Sequence, residues 1–387
     1  MDTATLLIST AAKIGFVLVI IFTFAPVLVW AERRQSAMIQ DRVGPHRAGF
    51  RLFGRKIELA GLLHPLADAL KMIWKEDFVP AKADRLLHSL APVITLVTAI
   101  GTFAVIPFAD TLYLEYLWNA LPVHGSVTGV AIPMQVAKLN VGILFVFALA
   151  GTGVVGAAIA GYASDNKYSL LGGLRAAGQM VSYEVALGLT LVGCFMIYDT
   201  LRLEDMVLWQ HRHVWGIFIQ PVAFLLYFTA AIAETKRIPF DVPEGESELV
   251  GGYFTEYSGM KFGMFFMGEF IEVVVLSALA TTIFFGGWDL PLLDRSGLEF
   301  FGYALDFSVG GYAVYWDGSL PHIVVIALQT LTFIVKVSLL IWFQLMIRWS
   351  LPRFRYDQIM ALCWKYILPL ALLNVVATGV VLLLIER

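Results

Sequence analysis

Residues Leu6–Trp30, LLISTAAKIGFVLVIIFTFAPVLVW, form an apolar run of 25 residues. A helix rises 1.5 Å per residue and the hydrocarbon core of a bilayer is about 30 Å thick, so about 20 apolar residues suffice to cross it. The run is therefore read as a membrane span. It is too long for the apolar core of a signal peptide, and Met1-Asp2-Thr3 lacks the positive charge that precedes one. Seven further stretches of the same character follow: Ser89–Pro107, Val141–Tyr162, Gln179–Ile197, Trp215–Ala233, Met264–Phe285, Ile323–Leu345 and Leu368–Ile385. The composition agrees. Of 387 residues, 59% are hydrophobic and only 15% charged, against about 25% charged in a soluble domain. The expected fold is an all-α integral membrane protein, one polytopic domain over residues 1–387 with eight transmembrane helices. A soluble enzyme, a disordered chain and a disulfide scaffold are excluded.

Sidedness follows from the basic residues, because cytoplasmic loops carry the excess of Lys and Arg. With eight spans placed as above, the odd-numbered loops hold 20 of the 27 basic residues and the even-numbered loops four. Both termini are thus expected on the periplasmic side. Within the first loop, residues 62–74 read as a short amphipathic helix. Leu63, Leu66, Ala67, Leu70, Ile73 and Trp74 recur at helical spacing, with His64, Asp68, Lys71 and Lys75 opposite. Such a helix is too short to span and is expected to lie in the interface, either as a plain anchor or as part of a site.

Ionisable groups inside spans are costly and mark functional paths or buried pairs. Glu184, Glu234, Glu269, Glu272 and Lys336 fall in this class. Glu269 and Glu272 share a helix face, where a proton relay is one reading and pairing with a neighbouring helix the other. The fifth loop, AETKRIPFDVPEGESE over residues 233–248, is the densest acidic segment, with Glu234, Asp241, Glu244, Glu246 and Glu248 against Lys236 and Arg237. Its Ile238-Pro239-Phe240 is expected to bend the backbone and seat an apolar wedge, rather than float as a solvated acidic loop.

Two motifs fail their context. Gly151-Thr152-Gly153-Val154-Val155-Gly156 matches a dinucleotide fingerprint but lies inside an apolar span with no preceding strand, so close helix packing through small residues explains it better. His211 and His213 lack acidic or thiol company at ligand spacing, and Cys194 and Cys363 stand far apart, so no metal site is expected in this chain. Nor is nucleic acid a partner, since no basic stripe with interleaved aromatics exists.

The fifth loop continues as Leu249-Val250-Gly251-Gly252-Tyr253-Phe254-Thr255-Glu256-Tyr257-Ser258-Gly259. Together the two stretches closely resemble the signature of the H-subunit family of NADH:quinone oxidoreductases, the NADH dehydrogenase subunit 1 type of respiratory complex I. Three other blocks share the resemblance: residues 31–34 (AERR) with 40–45 (QDRVGP), residues 66–71 (LADALK) with 75–77 (KED), and residues 351–358 (LPRFRYDQ). The blocks run in the family's order from the first loop to the last.

The resemblance implies a membrane subunit that joins the hydrophilic and membrane arms of a proton-translocating complex. It would help to form the chamber where quinone, the substrate, is reduced. The chain would carry no cofactor of its own. Iron-sulfur clusters and FMN would reside in partner subunits, and the chamber would be completed by the terminal-cluster subunit and its neighbour. Other membrane-arm subunits and the lipid bilayer complete the expected partners. Glu32, Arg33, Arg42, Asp68, Lys71, Arg237 and Phe240 match positions of the quinone chamber and its entrance. Glu184, Glu234, Glu269, Glu244, Glu246, Glu248 and Asp241 match the proton-coupling path. Residues 48–61 are longer and more basic than is usual for the family, and His64 and Lys236 depart from its commoner residues. The implied location is a bacterial inner membrane, with a mitochondrial one as the alternative. The equivalent component of a related membrane-bound hydrogenase and a free-standing ion transporter are the competing functional readings.

Overall fold

The computed structural model describes residues 3–52, 55–57, 60–119, 130–295, 297–298, 305–309, 312–316 and 320–385. Seven helical runs are long and apolar enough to cross a membrane. They are α1 (Thr3–Ile39), α3 (Arg85–Thr102, extended by a 3-10 turn to Val105), α4 (Gly142–Ala163), α5 (Lys167–Tyr198), α10 (Gly259–Phe284), α11 (His322–Ser350), and a run in which α12 (Tyr356–Ala361) passes through a π turn into α13 (Leu368–Ile385). The amphipathic α2 (His64–Trp74) and the short helices α6 (Leu203–Arg212), α7 (Gly216–Ile219), α8 (Pro221–Glu234) and α9 (Glu246–Leu249) complete the set. Among the described residues the strands form only two-stranded antiparallel pairs.

The expected fifth span, Trp215–Ala233, is broken. Gln220 leaves the helical region (φ −126°, ψ 58°) between α7 and α8. Pro221 is the cause: its ring disfavours helix at the preceding residue while its own fixed φ suits the first helical position. The Gln220 side chain meets Thr378 and Asn374 across the break. What remains, α8, is 14 residues, about 21 Å long, so it traverses less of the membrane than its neighbours. Elsewhere the helices outrun the apolar stretches. Thus α1 carries Glu32 and Arg33 on a continuation of the first span, and α5 begins twelve residues before Gln179.

The bundle is centred on α10, whose residues from Gly268 to Phe284 are almost all buried. Against it lie α3, α8, α11 and α1. Tight packing of α4 depends on small residues. A Cβ on Gly156 would stand 2.3 Å from Thr95 Oγ1 on α3, and one on Gly161 would stand 3.0 Å from the Gly173 backbone on α5. The glycine-rich stretch at 151–156 is therefore a helix-packing seam, as its setting inside a span led one to expect. Helix α2 is oriented as its pattern requires. Leu66, Leu70, Ile73 and Trp74 are exposed outward, where lipid would lie, and Asp68 is half-buried toward α1.

Candidate functional site

A cleft of about 1050 Å³, counting its open mouth, opens between α1, α2 and the start of α10. Its charged lining is Arg33, Asp68 and Lys71, with Arg33 and Asp68 paired at 2.6 Å. Met72, Met260, Phe266 and Phe270 supply much of its apolar wall. Long apolar walls with a few charged groups at one end suit a ligand with an apolar body and a polar head. Arg42 does not reach this cleft. It lies at the end of α1, where its guanidinium donates to Ser36 Oγ at 3.3 Å.

Behind Phe270 begins a buried charged network. The Arg237 guanidinium lies 3.8 Å from the Phe270 ring centre and donates to Glu32 Oε2 at 2.8 Å, while Arg348 reaches the other oxygen of Glu32 at 2.8 Å. Glu32 is thus the junction of α1, the fifth loop and α11, behind the cleft wall and not at its mouth. Asp241 pairs with Arg353 at 2.6 Å. Lys236, only 3% exposed, places its ammonium 3.8 Å from Glu269 and 4.0 Å from Glu272. Tyr253 links the two sides of this group, accepting from Lys236 at 3.3 Å and donating to Glu269 at 3.0 Å. The two glutamates three residues apart on α10 therefore share an ammonium.

The fifth loop holds these groups because its backbone is pinned. Gln179 on α5 donates to the carbonyls of Ala233 and Phe240 at 2.7 and 2.8 Å. Phe240 is buried, stacked on Phe354 and tilted against Tyr183, and Phe354 N–H donates to the Pro239 carbonyl at 3.0 Å. Phe240 accordingly seats the loop and does not line the cleft. Burial pushes the Asp241 carboxyl up to about 6 in spite of Arg353. Burial, reinforced by Glu269 and Asp241, carries Glu244 well above the usual carboxylate range. At Lys236 burial works against the charge, yet Glu272, Glu269, Glu234 and Glu244 outweigh it and hold the ammonium above its ordinary value.

Deeper in the bundle, a narrow gap of about 40 Å³ is lined by Glu184, Glu234 and Glu272 in otherwise mainly apolar company, among them Met180, Leu187 and Val275. Among the described residues, Oε2 of Glu234 and of Glu272 accept no hydrogen bond. Carboxylates around such a gap can exchange protons with one another through water. Glu272, on α10, touches both this gap and Lys236. It therefore borders both the fifth-loop network and the acids around the gap.

Not every expected residue joins. Glu248 pairs with Arg175 at 2.7 Å with its side chain 52% exposed, away from the buried acids. The side chain of Glu246 lies outside the described residues. Conversely, Lys236, Tyr253, Arg348 and Arg353 are members of the network that the pattern of apolar runs does not single out. Tyr253 and Arg353 fall within the blocks that carry the resemblance, which is the signal by which they could be found. On the opposite side of the bundle, His211 gains the acidic company that its sequence neighbours deny it. Asp289 stands 2.7 Å away and Asp294 3.8 Å. Lys336 donates to the carbonyls of Phe285, Gly287 and Asp289 and so closes the turn after α10. Among the described residues no cluster of three or more His, Cys, Asp or Glu could hold a metal ion.

A multi-pass membrane protein whose interfacial cleft backs onto a buried chain of ionisable groups is the class these features define. Residues 12–379 match the family described as NADH dehydrogenase. The chain is 46% identical to the second of the NADH-quinone oxidoreductase H subunits of Geobacter sulfurreducens, over 97% of its own length and 96% of the relative's. It is 43% identical to the NADH-quinone oxidoreductase H subunit of Thermomicrobium roseum, covering 95% and 94% of the two chains. With the corresponding H subunit of Flavobacterium psychrophilum the identity is 39% over the whole of both. The chain belongs to the NADH dehydrogenase family, in its H-subunit branch. These relatives bear the name of neither a hydrogenase nor a transporter, and the competing readings lose their support.

Proposed function

We propose that this chain forms the membrane-side wall of a quinone chamber and the first stretch of the path that couples quinone reduction to proton translocation. Family membership makes it a membrane subunit of an NADH-quinone oxidoreductase. The observation that carries the finer reading is the double role of Phe270. One ring is part of the cleft wall and also lies against the Arg237 guanidinium that leads, through Glu32 and the fifth loop, to the buried acids. A quinone head group reduced in the cleft takes up protons and changes the local charge. Arg33, Asp68 and Lys71 are placed to position the head group, and the fifth loop to register the change. Glu269, Glu272, Glu234 and Glu184 then carry it into the membrane.

In this reading the eight apolar helices, α8 included, form a single polytopic domain of a bacterial inner membrane. Both termini lie in the periplasm and α2 sits at the cytoplasmic surface. The hydrophilic subunits with the terminal iron-sulfur cluster close the chamber over the cleft, with FMN further along the same arm. Substituting Asp68→Asn in the assembled complex tests the chamber. Quinone reduction by NADH is expected to fall several-fold while ferricyanide reduction, which bypasses the chamber, is retained. An equal fall in both activities places the defect upstream and refutes the assignment.

A further inference from the structure

A second crevice, narrow and open at its rim, lies in the half of the bundle nearer the even-numbered loops, opposite the cleft of α2. Val17, Phe103, Phe333 and Val337 form its buried floor, and Ile20 and Phe24 belong to its half-exposed rim. All of its lining side chains are apolar except Thr330, whose hydroxyl is already committed to the Ile326 carbonyl. Nothing in the buried charged network reaches it.

The charged side chain of Lys13 stands at its upper edge. On α1, residues 13, 17, 20 and 24 share one helix face at the i, i+4, i+7, i+11 spacing, so Lys13 continues the Val17–Ile20–Phe24 stripe one turn toward the even-loop surface, about 6 Å higher. Lys13 is half-buried, and its ammonium donates at 3.4 Å to the Pro133 carbonyl in the second loop. It forms no ion pair among the described residues. An ammonium at the edge of the hydrocarbon reaches toward the interface and there attracts anionic head groups. An apolar groove at bilayer depth beneath an ammonium that, among the described residues, has no acidic partner matches a molecule with an acyl tail and an anionic phosphate.

We propose that the crevice between α1, α10 and α11 is a phospholipid site, taking one acyl chain of an anionic phospholipid from the even-loop leaflet with its phosphate at Lys13. The acyl chain then lies along this apolar groove and bridges α1 to the bundle on the side remote from the cleft.

The test uses the assembled complex in phosphatidylcholine vesicles doped with phosphatidylglycerol bearing a photoactivatable diazirine in its acyl chain. Peptides containing Val17–Phe24 or Phe333–Val337 are expected to be labelled, and labelling is expected to drop several-fold in Lys13→Gln, which keeps a donor for Pro133 but removes the charge. A second variant, Ile20→Trp, fills the rim of the crevice and is expected to abolish labelling with Lys13 intact. Equal labelling by diazirine-bearing phosphatidylcholine, with no effect of Lys13→Gln, overturns the head-group assignment. Absence of label from both peptides, or displacement of the label by added quinone, overturns the site.

Discussion

Substitution of Arg353 by glutamine isolates the charge that opposes burial at Asp241. In the native protein the guanidinium donates to Asp241 Oδ2 at 2.6 Å, and Asp241 Oδ1 has no partner. Burial nevertheless holds the carboxyl up at about 6, so it keeps its proton below that pH and ionises above it. A hydrogen bond between charged groups contributes about 1.5–3 kcal/mol. Because the Arg353 side chain is 32% exposed, solvent screening argues for the lower end, about 1.5 kcal/mol. At 1.36 kcal/mol per pH unit this displaces the titration upward by about one unit. If ionised Asp241 is needed for coupling, the acid limb of NADH:quinone reductase activity should have its half-point near pH 6 in the native complex. In Arg353→Gln it should move about one unit toward neutrality, with the alkaline limb unchanged. The assay is the pH profile of quinone reduction in proteoliposomes, with ferricyanide reduction measured alongside to remove pH effects on the hydrophilic arm. The limb should vanish in Asp241→Asn and stay absent in the double variant. A profile for Arg353→Gln that superimposes on the native one, or moves to lower pH, refutes the reasoning.

Three further outcomes follow from the geometry. Glu234→Gln keeps the size and much of the hydrogen-bonding capacity of a carboxylate that lines the intramembrane gap but cannot carry a proton, so the complex should assemble with strongly reduced turnover and proton pumping; native values for both would make Glu234 structural. Gly156→Ala puts a methyl group 2.3 Å from Thr95 Oγ1 and 3.2 Å from the Ala91 carbonyl, an overpacking that costs about 1–3 kcal/mol, and the detergent-solubilised complex should denature several degrees lower than the native one; an unchanged midpoint would show that α3 and α4 can separate freely. A cysteine appended after the last residue should react with a membrane-impermeant maleimide in intact cells whose outer membrane has been permeabilised, and reaction only after lysis would invert the proposed sidedness.

The apolar runs located seven of the eight expected membrane-crossing helices, the bias of Lys and Arg set the sidedness to be tested, and the period of residues 62–74 determined which face of α2 turns outward. All three are local or additive properties: transfer to hydrocarbon acts residue by residue, and amphipathic spacing is read within a few turns. Partners were not legible in this way. Glu32 and Arg237 are 205 positions apart, and Asp241 and Arg353 are 112 apart. Nothing in the periodicity of either segment says that α11 and the segment following it will deliver Arg348 and Arg353 to the fifth loop. The sequence marked Glu269 and Glu272 as one face of one helix, but only the tertiary structure set Lys236 against both. It also set Glu32 between Arg237 and Arg348 behind Phe270, left Glu248 half-exposed, and gave His211 the carboxylates of a distant turn. The physical reason is that a charge pair forms where packing brings its members within a few ångströms, and packing is a property of the whole bundle. Inside that bundle an unpaired charge is costly enough for such pairs, once brought together, to hold the buried network in place.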